Sequence, residues 1–108
     1  MASDLSFIEY VSEQLRDTGE VRYKKMFGEY MVYVDNIPTV LVCDNTPYIK
    51  KLDSIKSLME NSQTGFPYDG AKEHYILDID DKEGLGEIIE KTLESRKTEK
   101  RKNKVKNL

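Results

Sequence analysis

The chain has 108 residues, one cysteine, seven tyrosines, no tryptophan and a net charge of −3. That length supports one small domain with a single core, and no apolar run approaches the roughly 20 residues of a membrane span. The charge is uneven: residues 1–95 hold ten Lys/Arg against nineteen Asp/Glu, a net of −9, while residues 96–108 hold seven against one, a net of +6. The acidic body alone would repel a nucleic-acid backbone.

Residues 3–16 read as an amphipathic helix, with Leu5, Ile8, Val11 and Leu15 at three- to four-residue spacing and Phe7 widening the stripe. Ser3 and Ser6 are candidate N-caps, and Gly19 is a candidate left-handed C-cap. Residues 21–27 form the first predicted strand, with Gly28 as a break or bulge. Residues 30–34 and 39–43 are runs of large and β-branched side chains joined by Asp35-Asn36, a turn pair that tolerates positive φ, so they predict a hairpin. Pro38 belongs at a strand start. Asp44-Asn45-Thr46-Pro47 is a second turn, and Tyr48-Ile49 a further short strand.

A helical period returns over residues 51–61, with Leu52, Ile55, Leu58 and Met59 on one face. Residues 65–73 read as a loop and 74–79 as the last strand. Asp80 or Asp81 caps a final helix whose stripe is Leu85, Ile88, Ile89 and Leu93. The stripe stops near Arg96, so residues 96–108 are expected to be a basic, frayed or disordered tail. The order α-β-β-β-β-α-β-α predicts an α+β domain over residues 1–95, a mainly antiparallel sheet of about five strands packed with helices.

Candidate chemistry is sparse. His74 is the only histidine, and a nucleophilic site would need it beside Cys43. Cys43 ends an apolar strand run, where cysteines are usually inert core residues, so a small Cys43/His74 enzyme ranks low. There is no CxxC or HExxH, and neither a metal nor a cofactor is expected. Asp78-Ile79-Asp80-Asp81 reads as a strand end and helix cap, and Gly70-Ala71-Lys72 lacks the spacing of a phosphate loop. The tyrosines fit half-buried sheet positions better than a base-stacking surface. In the tail, Arg96, Lys97, Lys100, Arg101, Lys102, Lys104 and Lys106 can touch phosphates without base specificity, against the plainer reading of a solubilising end. With a lone cysteine and no basic-then-apolar start at Met1, the expected location is cytoplasmic.

Two separated segments carry a family resemblance. Lys25-Met26-Phe27-Gly28-Glu29-Tyr30 with Tyr33-Val34-Asp35, Val42-Cys43-Asp44 and Tyr48-Ile49-Lys50 resembles the N-terminal domain of TfoX/Sxy proteins. Gly65-Phe66-Pro67-Tyr68-Asp69-Gly70-Ala71-Lys72-Glu73-His74-Tyr75 is similar to a segment of that family's short, free-standing members. Glu29 and Met31 stand where many full-length members carry glycine. The resemblance covers about residues 5–95 and implies a bacterial, often dimeric α+β domain. It also implies a non-enzymatic role in transcription regulation, through a protein partner such as a transcription factor, as in natural competence. The chain ends where the family's second domain would begin. The expected function is therefore a protein–protein adaptor, with no catalytic residues and no membrane association. Met26, Phe27, Gly28, Glu29, Tyr30, Tyr68, Gly70, Lys72, His74 and Tyr75 are the candidate partner-binding residues. The alternatives are a nucleic-acid module using the tail and the small enzyme above.

Overall fold

The computed structural model describes residues 3–26 and 29–106, with side chains through residue 98. In chain order the elements are α1 (Leu5–Leu15), β1 (Val21–Met26), β2 (Glu29–Val34), β3 (Ile37–Cys43), β4 (Thr46–Lys50), β5 (Thr64–Gly65), β6 (His74–Ile76) and α2 (Lys82–Lys106). The strands make one antiparallel sheet in the order β1-β2-β3-β4-β6-β5. The class is α+β, as the alternation of apolar periods predicts.

Two tight hairpins build the meander. Asp35 and Asn36 take φ of 52° and 66°, and Asp44 and Asn45 take 49° and 55°. Paired positive φ gives a two-residue turn whose twist matches that of the strands it joins, which is why Asx residues occupy both. The bulge lies in the β2–β3 pairing near Tyr33 and Pro38. The one expected at Gly28 lies outside the described residues.

One face of this sheet is closed by the helices. Ile8, Val11 and Leu15 of α1 and Leu85, Ile89 and Leu93 of α2 pack with Val32, Val34, Val40, Val42 and Ile49 of the sheet, all buried. Asp81 is the acidic cap of α2: its carboxylate accepts from the Gly84 N–H at 3.1 Å. Arg96, still helical, donates to the Pro38 carbonyl at 3.1 Å and ties α2 to the start of β3.

Five expectations need correction. The segment after β4 is two 3-10 turns, Asp53–Ile55 and Ser57–Met59, rather than an α-helix. Asp53, Ser54 and Ser57 have low intrinsic helix propensity, yet the apolar period still buries Ile55 and Met59. The last strand stops at Ile76: the Leu77 N–H still donates to the Pro47 carbonyl (2.9 Å), but Pro47 has no N–H to return the bond, and a sixth strand, Thr64–Gly65, pairs beside it. Ser3 and Ser6 do not cap α1; Asp4 holds that position, and the Ser3 hydroxyl instead accepts from the Asn45 N–H at 3.0 Å. Gly19 is extended (φ 158°, ψ −162°), because a 3-10 turn closed by the Thr18 hydroxyl on the Leu15 carbonyl ends α1. Beyond Arg96 the backbone stays helical to Lys106, where the sequence pattern predicts a frayed extension.

Candidate functional site

Residues opposite one another in an antiparallel pair share a face. Val34, Val32 and Tyr30 therefore alternate inward along β2, and Glu29, Met31 and Tyr33 outward. The pairings Arg22↔Tyr33, Lys24↔Met31, Met26↔Glu29, Met31↔Leu41, Leu41↔Tyr48, Tyr48↔Ile76 and Lys50↔His74 carry this outer face across the sheet. No helix covers it. Its partial cover is the loop between β5 and β6, whose Phe66 and Tyr68 are 63% and 62% exposed.

The outer face is sharply patterned. Arg22, Lys24 and Lys50 are its strand cations, and Arg22 sits 4.3 Å over the Tyr33 ring. Its strand carboxylate is Glu29, which is already engaged: one oxygen accepts from the Asp44 N–H at 2.8 Å and from the Ser3 hydroxyl at 3.2 Å. A protein whose folded body is net negative thus presents a positive sheet face.

Two hollows lie side by side there and share Met31, Leu41 and Tyr68. The first, about 520 Å³, is apolar: Met26, Met31, Leu41 and Cys43 line it with Glu29, and Tyr68 closes one side. The second, about 540 Å³, reaches the end of the sheet where Arg96 meets Pro38, and Tyr48, Lys50, Lys72 and His74 also line it. Its walls are preorganised. The Ala71 N–H donates to the Tyr68 carbonyl at 3.1 Å, and Gly70 takes φ 86°, a left-handed conformation that favours glycine. His74 Nδ1 lies 2.7 Å from the Lys72 carbonyl. A carbonyl only accepts, so Nδ1 carries the proton and Nε2 is left for other contacts. The His74 ring stands edge-on to Tyr48 at 6.4 Å. Gly65 lets β5 lie against Tyr48, since a Cβ there would meet the ring at 3.3 Å.

The two motif segments meet here, although some of their residues face elsewhere. Met26, Tyr68, Gly70, Lys72 and His74 line the hollows. Tyr30, 8% exposed, belongs to the core and packs edge-on against Tyr23 at 5.7 Å. Tyr75 pairs with Ile49 on the inner face and carries Lys51 over its ring. Glu29 is a bracing residue, holding the β3–β4 turn. Phe27 and Gly28 lie outside the described residues, as do the side chains of Lys100, Arg101, Lys102, Lys104 and Lys106. Lys97 lies in a separate groove between the end of α1 and α2. Sequence reasoning missed Met31, Leu41, Tyr48 and Lys50 as site residues. The period-two alternation of β2 to β4 was the signal that would have put them on one face.

Cys43 is 5% exposed, and burial, with the Glu29 carboxylate beside it, pushes its thiol up to about 12. Such a thiol is a poor nucleophile at neutral pH. Cys43 and His74 line different hollows. Among the described residues, no group of three or more His, Cys, Asp or Glu is placed to hold a metal ion, and no helix is long and apolar enough to cross a membrane.

No profile of a known protein family matches this sequence. The chain is similar to the "Uncharacterized 12.7 kDa protein in trpE 5'region" of Spirochaeta aurantia, with 38% identity over 78 residues, covering 72% of this chain and 68% of that protein. With that identity over that coverage, the chain belongs to the same family as the Spirochaeta aurantia protein.

Proposed function

We propose that this chain is a non-enzymatic binding protein, an adaptor of the TfoX N-terminal-domain type that works in gene regulation by docking a protein partner on the outer face of its sheet. One observation carries this reading: two motif segments about forty residues apart in sequence converge on a single apolar hollow, Met26 from one and Tyr68 from the other. The surface favours a partner of complementary chemistry. An apolar or aromatic side chain fits the Met26–Leu41–Tyr68 hollow, and acidic residues around it answer Arg22, Lys24, Lys50 and Lys72. The raised, buried thiol of Cys43 supports a role without covalent chemistry.

Affinity capture from the native host tests this reading, using the full chain and the full-length Tyr68→Ala variant, each with and without nuclease. The expected result is a nuclease-resistant acidic protein that the wild type retains and Tyr68→Ala loses. Capture that Tyr68→Ala leaves unchanged overturns the reading. A second reading, nucleic-acid association, is favoured by one feature: the basic run of the sequence begins at Arg96, against the positive sheet face. Its signature is nuclease-sensitive capture that weakens steeply with salt.

A further inference from the structure

We propose that the second hollow of the outer face is a binding site for a nucleoside phosphate. This does not rest on the adaptor reading, which uses the neighbouring apolar hollow. Three cations, Lys50, Lys72 and Arg96, line it together with His74, and no carboxylate is among the lining residues. Two carboxylates flank the lining residues in sequence: Asp69, between Tyr68 and Gly70, is exposed and not part of the lining, and Glu73 is turned to other partners, one oxygen pairing with Lys51 Nζ at 2.5 Å and the other accepting from the Thr64 hydroxyl at 3.0 Å. The charge of Glu73 is therefore answered outside the hollow. In a body of net −9, three cations and a histidine gathered without a lining carboxylate are a specific concentration of positive charge.

The remaining walls select the class of anion. Tyr48 and Tyr68 offer aromatic surface, and Tyr48 is held by His74 and by the close approach of Gly65. Aromatic walls beside a cationic group fit a flat base carrying a phosphate better than a bare inorganic ion. The volume of about 540 Å³ lies within the roughly 300–1,000 Å³ range of small-molecule sites. Lys50 and Lys72 are both exposed, so their ammonium groups can close on a phosphate without unfolding anything. The Lys72 backbone is fixed by its carbonyl's bond to His74, and Arg96 is positioned by Pro38. The base therefore lies between the tyrosines, and the phosphate among Lys50, Lys72 and Arg96.

Titration calorimetry and amide NMR on the full chain test this, with adenosine 5′-monophosphate, adenosine, inorganic phosphate and a thymidine oligomer as probes. Saturable binding of the monophosphate is expected, with shifts at Tyr48, Tyr68 and His74, and weaker binding of phosphate and of adenosine alone. Lys50→Met and Lys72→Met should each weaken monophosphate binding by about tenfold, as loss of a charge-assisted contact does. Both positions are exposed, and a circular-dichroism melt equal to that of the wild type verifies the fold. An oligomer that displaces the monophosphate at tighter affinity assigns the phosphate to a strand; one that competes no better assigns it to the free nucleotide. No saturable response to about 1 mM monophosphate, or an unchanged affinity in the Lys50→Met/Lys72→Met variant, overturns the proposal.

Discussion

The two faces of the sheet are made from the same strands and have opposite characters. Along β3, Val40 and Val42 point into the helix layer and are fully buried, while Leu41 between them opens onto the outer hollows. Along β2, Tyr30, Val32 and Val34 close the core as Met31 and Tyr33 face outward beside Lys24 and Arg22. The inner face is apolar and, apart from the edge strand β1, closed by the helices. The outer face mixes methionine, tyrosine and cations. Alternate positions of one short strand thus have separate surroundings: even-numbered β2 residues face the core, and odd-numbered ones face outward.

The largest expected contrast concerns Cys43, which faces outward yet is sealed like an inner residue. With its thiol at about 12, its alkylation near pH 8 should run on the order of a thousandfold slower than that of a free thiol. Glu29→Gln should speed it, because the carboxylate's charge is one cause of the raised value. Alkylation at the free-thiol rate would show that the outer face opens.

Next is the energetic gap between the faces. Ile89→Ala on α2 should lower unfolding free energy by about 3 kcal/mol and Val40→Ala by about 2, whereas Leu41→Ala should lower it by about 1, read from urea denaturation. Equal losses at Val40 and Leu41 would erase the division of labour. Smaller still is the brace: Glu29→Ala removes the carboxylate that accepts from the exposed Asp44 N–H and should lower stability by about 0.5 kcal/mol.

The smallest effect is a pH dependence at Glu73. The Lys51 ammonium, then the Thr64 hydroxyl, hold its carboxyl below the usual range. A lowered folded-state value means stabilisation that is present above the unfolded carboxylate's pKa and lost as pH falls through the folded one. Wild type should therefore be the more stable of it and Glu73→Gln at neutral pH, and the two should converge in acid. A gap that persists in acid would assign the effect to packing.

The fold was largely legible in the sequence because its periods are local. The β2–β3 and β3–β4 hairpins are announced by Asp35-Asn36 and Asp44-Asn45, whose side chains tolerate the backbone they adopt. The last helix is announced by Asp81 and by the Leu85–Ile89–Leu93 stripe. Residues 51–61 misled because an apolar period of three to four is common to α-helices and to successive 3-10 turns, and only packing against α2 decides between them. The two-residue β5 has no period to read. The candidate site was half legible. The motif segments located Met26, Tyr68, Lys72 and His74, but Lys24 and Lys50 lie far apart in the sequence. They come together only through cross-strand pairing, a property of register rather than of neighbouring residues.

The margins of the sheet have a consequence for self-association. At one edge stands β1, whose run Arg22-Tyr23-Lys24-Lys25 is exposed and triply cationic; at the other stands β5, two residues long. Like-charged lysines repel a second copy of the same edge, and a two-residue strand offers too few free hydrogen-bonding groups to template another. Edge-to-edge growth into a continuous intermolecular sheet, the common route to β-aggregates, is therefore blunted at both ends.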